Sequence, residues 1–253
     1  MPARLQVLIV VSLVALMSCR GSDVTPKTIP AGPPSVRPDV VARHAEQFDE
    51  DLEVREPGSQ EELAAASYIL GHLQQAGYAP LLDAVPVKNL VKSTNVVAAP
   101  PNGEDPSAVV AVPYDSGGIL DGRGAVVGTF LELARALNRA DPDHRVGFVA
   151  MGAQSFKARG AVRLVSFLRD RDSRPLIVTL EGPGPSLRFE AFGDRAGEVM
   201  RLAGQRAAED PTEVRWIPLD HDEVFEDAGL ENLSILGDSD VVGEVLLEWL
   251  QRF

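Results

Sequence analysis

The chain has 253 residues, with 24 Lys and Arg against 37 Asp and Glu and a formal net charge of -13. An excess of negative charge spread along the chain suits a solvated surface and excludes nucleic acid as an expected partner. The single cysteine excludes an intramolecular disulfide and a zinc site built on several cysteines.

Arg4 precedes an apolar stretch, Leu5 to Met17, interrupted only by Gln6 and Ser12. The stretch is shorter than the roughly 20 residues a membrane-spanning helix needs, and it suits the apolar core of an export signal. Leu16-Met17-Ser18-Cys19 resembles the end of a bacterial lipoprotein signal. That resemblance implies cleavage before Cys19, acylation of its thiol (palmitate is a typical chain) and of the new amino group, and anchorage in the cell envelope. An ordinary signal with an incidental cysteine is the other reading. The expected organisation is a signal at 1–18, a tether at 19–37 and one α/β domain at 38–253. Pro26, Pro30, Pro33 and Pro34 keep the tether extended.

Within the domain, Ser59 with Glu62 three residues on is a capping-box signature. Leu63, Ala66, Ile69, Leu70 and Leu73 follow at helical spacing, and Gly77 suits the left-handed residue after a helix. Strands are predicted at Thr94–Ala98, Ala108–Val112, Val146–Met151, Pro175–Leu180, Leu187–Phe192, Val214–Ile217 and Asn232–Leu236. Helices are predicted at about Ala125–Arg139, Ala161–Arg169, 195–208 and Val241–Leu250. Several strands are continuous apolar runs, as in strands covered on both faces. The pattern predicts a three-layer α/β/α sandwich with a mostly parallel central sheet. Ligand sites in such sheets lie at the carboxyl ends of strands, here near 113–118, 152–157, 181–184 and 220–222.

Those tips carry a family resemblance. Arg55-Glu56-Pro57-Gly58-Ser59, Ser93-Thr94-Asn95-Val96-Val97-Ala98, Val112-Pro113-Tyr114-Asp115-Ser116, Phe130–Leu137 and Asp220-His221 with Phe225 and Gly229 occur in order over residues 50–253. The chain resembles the secreted zinc aminopeptidases with paired metal ions, a family that includes the glutaminyl cyclases. The resemblance implies a zinc-exopeptidase fold, and it assigns a role to each matching position. The first histidine ligand falls on Pro113, and the aspartate that orients that histidine falls on Asp115. The bridging aspartate falls on Gly122, with Asp121 one residue away. The general base falls on Gln154, the adjacent glutamate ligand on Ser155 and the next carboxylate on Glu181. The final histidine ligand has no counterpart, because no histidine follows His221.

A zinc pair needs imidazoles and carboxylates, and a base to deprotonate the bound water. Pro113 offers no side-chain donor, and the Gln154 amide is no base. The expectation is a degenerate, catalytically inactive member with no cofactor, holding its cleft for peptides or an envelope protein partner. The alternative is an active zinc exopeptidase with a rearranged site: Asp121 and Glu181 on metal, with Asp115 and His221 as catalytic groups.

Other residues carry weaker alternatives. His221 between Asp220 and Asp222 is a carboxylate-oriented base or, preferably, part of a helix-capping remnant. Ser155 occupies the place of a strand-to-helix nucleophile but lacks the second glycine of that elbow. The glycine-rich stretch 115–124 is an anion cradle or, preferably, a permissive loop. His44, His72 and His144 are expected on the surface. Trp216 and Trp249 are expected to pack.

Overall fold

The structure is a computed structural model and describes residues 32–52, 54–116, 123–182, 188–199, 220–236 and 239–253. The chain runs α1 (Pro38–Glu50), α2 (Gln60–Gln75), β1 (Leu81–Pro86), β2 (Lys92–Ala98), β3 (Ala108–Pro113), α3 (Arg123–Ala140), β4 (Val146–Met151), α4 (Arg159–Arg169), β5 (Leu176–Gly182), β6 (Arg188–Phe192), α5 (Asp220–Asp227), β7 (Asn232–Leu236) and α6 (Ser239–Leu250).

The seven strands form one sheet in the order β1-β2-β4-β3-β5-β7-β6. The central four, β4, β3, β5 and β7, run parallel, and β1, β2 and β6 pair antiparallel at the flanks. Every residue of β3 and β4 is buried. Their side chains still alternate between two cores. Val110, Val112, Phe148 and Ala150 join α1, α2, α3 and α6, whereas Val109, Ala111, Val149 and Met151 join α4 and Phe225 of α5. Period-two alternation under a continuous apolar run is what two helical layers impose. The fold is the expected α/β/α sandwich. The chain moves from β3 to one side and from β5 to the other, so the β3–β5 boundary is the switch point, the place where such sheets usually bind ligands.

Local chemistry explains the helix ends. Ser59 Oγ accepts from Glu62 N at 3.0 Å. The Glu62 carboxylate does not return to Ser59; it accepts from Gly58 N at 2.5 Å and from Ser93 Oγ. Gly77, at φ +94°, closes α2 as expected, with Tyr78 N bonded to Leu73 O and Gly77 N to Gln74 O, each at 3.0 Å. Close crossing of α1 and α3 depends on Gly124 and Gly128, where a Cβ would lie 2.5 Å from Ala45 O and 2.7 Å from Val41 O.

The structure departs from the sequence reading in four places. Leu63, assigned to the apolar face of α2, is 51% exposed. The strand β1 was not anticipated, because one of its two inward positions is Asp83, paired with Arg163 of α4 at 2.6 Å. The helix α1 was not anticipated, and residues ahead of it pack on the domain: Val36 is buried, and Pro33 O and Ser35 O accept from Arg135 at 2.9 and 2.6 Å. His44 and His144 are buried rather than on the surface, and His72 is half-buried. Trp249 packs in the core as expected. The signal, Cys19, most of the tether, Asp121, Gly122, Trp216, the strand at 214–217 and most of the helix at 195–208 lie outside the described residues.

Candidate functional site

The carboxyl ends of β3, β4 and β5 bring Pro113–Ser116, Gly152–Ala158 and Glu181 to one end of the sheet. Asp115, two residues beyond β3, is fully buried. Its carboxylate is occupied: Gln154 N donates at 3.0 Å, Ser155 N at 2.9 Å and Ser155 Oγ at 2.5 Å. Ala153 at φ +52° turns the following two amides towards that carboxylate, the arrangement of a backbone anion nest. Asp115 therefore ties the β3 tip to the β4 loop.

Gln154 turns away from the site. Its Oε1 accepts from Ala161 N at 3.0 Å, covering the start of α4, and its Nε2 rests on Met151 Sδ at 3.6 Å. Ser155 is exposed and serves Asp115. Pro113 closes β3 in register with Met151.

Two arginines, neither anticipated from the sequence as a site residue, set the electrostatics. Arg55 is 1% exposed, and its Nε donates to Tyr114 O at 2.7 Å. Its Nη1 reaches Phe48 O at 3.2 Å and also Leu52 O, and the guanidinium lies 4.4 Å over the Phe48 ring. Arg55 and Ser116 clasp each other, Arg55 N to Ser116 Oγ at 2.5 Å and Ser116 N to Arg55 O at 3.1 Å. Arg123 opens α3, and its Nε and Nη1 are buried without a hydrogen-bond partner among the described residues. Burial lowers its pKa, while Asp115 and Glu181 pull the other way. A buried guanidinium thus feels the charge of both Asp115 and Glu181. A composition-based reading gives no signal for this, because Arg123 matches no family ligand.

Burial raises the Glu62 pKa, Asp115 adds to that, and the bonds from Ser93 and Gly58 oppose it. Burial also pushes the Tyr114 phenol upward; its Oη donates to Thr94 O at 2.6 Å. Tyr114 is a strut between β3 and β2.

No family model matches the sequence, and no curated protein matches it. Solved structures do. A leucine aminopeptidase precursor from Bacteroides thetaiotaomicron aligns over 88% of this chain and 99% of its own, with a TM-score of 0.73 and 15% identity. This is a zinc-exopeptidase fold. A glutaminyl cyclase from Bacteroides thetaiotaomicron shares it over 88% of this chain and all of its own, at TM-score 0.73 and 15% identity. So does a Zn-dependent exopeptidase from Parabacteroides distasonis, over 88% and 100%, at TM-score 0.71 and 14% identity.

The zinc-exopeptidase fold is present, but its described ligand positions do not fit a pair of zinc ions. Asp115 already accepts three hydrogen bonds, Gln154 bonds to the first turn of α4, Ser155 donates its hydroxyl to Asp115 and Arg123 brings positive charge. Among the described residues, no group of three or more His, Cys, Asp or Glu side chains converges. Glu181, the last residue but one of β5, is half-buried. His221 lies in the first turn of α5; its side chain, like Asp121 and Gly122, is outside the described residues. No described helix is long and apolar enough to cross a membrane.

Proposed function

We propose that this protein is a lipid-anchored component of a bacterial cell envelope whose peptidase-like domain binds peptides or a protein partner instead of cleaving them. The observation that carries this reading is the use of Asp115. In a metal centre that aspartate orients an imidazole on the dication. Here proline stands where the imidazole would be, and the carboxylate accepts three hydrogen bonds from residues 154–155. The residue at the general-base position is an amide engaged with α4. Loss of a general base alone removes about 10²–10⁴-fold in rate.

The test is turnover of purified protein, with zinc added, on aminoacyl anilides and on N-terminal glutaminyl peptides. The reading expects no rate above background on either. Turnover that disappears in Glu181→Ala overturns it. The anchor has its own test: labelled palmitate should enter the wild-type chain in a bacterial host and be lost in Cys19→Ala.

A zinc exopeptidase with a rearranged site is the second reading. Its support is that Asp115 and Glu181 are carboxylates at the carboxyl ends of two adjacent parallel strands, β3 and β5.

A further inference from the structure

A cleft of about 800 Å³ lies between α1, α2 and α3 and shares no lining residue with the strand-tip site. Three arginines line it, Arg37, Arg43 and Arg135, with His44, His72 and a single carboxylate, Glu132. That balance is the reverse of the whole chain, where acidic residues outnumber basic ones.

Glu132 is already committed. Arg37 Nε and Nη2 each reach it at 2.9 Å, and Arg135 Nε and Nη2 reach it at 2.8 and 3.0 Å. One carboxylate held by two guanidinium groups leaves the wall positive. Arg43 stands on the rim with its side chain 67% exposed and only an exposed Asp39 beside it, an ion pair that water screens. On the opposite wall, His44 Nδ1 pairs with Tyr68 Oη at 2.6 Å. His72 stacks edge-on to His44 at 4.6 Å between ring centroids and on Tyr68 at 4.5 Å. The His72 imidazole has no hydrogen-bond partner among the described residues. The cleft thus has the size of a small-ligand site, an apolar body of rings and a few convergent donors.

We propose that this cleft binds a carboxylate, held between Arg43 on the rim and the imidazole of His72 on the wall. Carboxylates are matched by guanidinium forks and by imidazolium donors. The carboxylate has two sources, a free organic acid or the C-terminus of a peptide. Binding is coupled to protons. The charged groups facing the two rings are each other, Glu132, Arg37 and Arg43, and burial holds both histidines neutral at pH 7. A bound carboxylate favours the protonated form of His72, the ring it touches, so binding tightens as pH falls below 7.

Calorimetric titration of the full mature chain tests this, with succinate, tri-alanine and tri-alanine amide as probes. Saturable binding of succinate identifies a free-acid site. Binding of tri-alanine but not of its amide identifies a peptide-terminus site. In either case Arg43→Gln with His72→Asn must weaken binding at least tenfold and abolish the pH dependence, with the far-ultraviolet spectrum unchanged. No binding of any probe, equal binding of the amide, binding unaffected by the double variant, or binding of Ni²⁺ in place of carboxylates overturns the proposal. None of these results bears on the strand-tip site, whose reading stands or falls on turnover.

Discussion

Ser155 Oγ donates to Asp115 Oδ2 at 2.5 Å, across the gap between the β3 tip and the loop after β4. On the proposed reading these positions, which the family resemblance assigns to a metal site, serve each other and form a structural clasp.

The clasp has a stability signature. Asp115→Ala leaves Gln154 N, Ser155 N and Ser155 Oγ without an acceptor, and buried donors so orphaned cost about 1–3 kcal/mol each at full burial. Ser155 is exposed, so water recovers part of the loss, and about 2–4 kcal/mol overall is expected. Ser155→Ala removes only one donor and costs about 1 kcal/mol. Urea unfolding of the two single variants and the double variant should show Ser155→Ala silent once Asp115 is gone.

Arg55 is the second structural pivot. It supplies donors to Tyr114 O, Phe48 O and Leu52 O from a buried position. Arg55→Met keeps the packing over Phe48 and strands those carbonyls, at a cost of about 3–5 kcal/mol. Guanidinium chloride unfolding checks the size; a loss under 1 kcal/mol would remove Arg55 from this role.

Arg123 should behave in the opposite way. Its buried Nε and Nη1 are unpaired, and burial is the largest influence on its charge. Arg123→Met retains the aliphatic stem and removes the desolvated charge. Stability should stay within about 1 kcal/mol of wild type or rise. A drop beyond about 2 kcal/mol would mean that attraction to Asp115 and Glu181 outweighs desolvation.

Stability should also depend on pH through two histidines. His44 and His144 are held down to about 4 from an ordinary 6.5, chiefly by burial. His144 Nδ1 accepts from Val146 N at 3.1 Å, a bond that protonation breaks. Between pH 6.5 and 4 the unfolded chain binds more protons at these sites than the folded one. Stability is therefore full above pH 6.5 and declines as pH falls through that window, by about 3 kcal/mol per histidine at the limit. Glu62, with its pKa raised, offsets part of the decline. Unfolding midpoints measured from pH 7.5 to 4 should fall for the wild type and flatten in His144→Gln.

How much of this was legible in the sequence follows from where the signals came from. The continuous apolar runs at Val109–Val112 and Val146–Met151 announce strands covered on both sides, and both are such strands. At Pro113 and Gln154 it is the family resemblance, not the residue types by themselves, that implies a missing imidazole and a missing carboxylate. The burial of His44 and His144 was not legible, because it depends on Tyr68 and Tyr78, which lie 24 and 66 residues away in the chain. Nor was the strand β1, whose inward Asp83 makes sense only once Arg163 is seen beside it. The placement of Arg123 was equally hidden, since its neighbours Asp115 and Glu181 come from two other elements. Non-local pairs of polar residues break the apolar patterns on which sequence reading rests.

The central claim is tested most directly by counting metal. Protein purified without chelator, equilibrated with zinc and then desalted, should retain far less than one zinc ion per chain by elemental analysis. Retention of two ions per chain, falling in Glu181→Ala, would contradict the account and restore a metal centre to the strand tips.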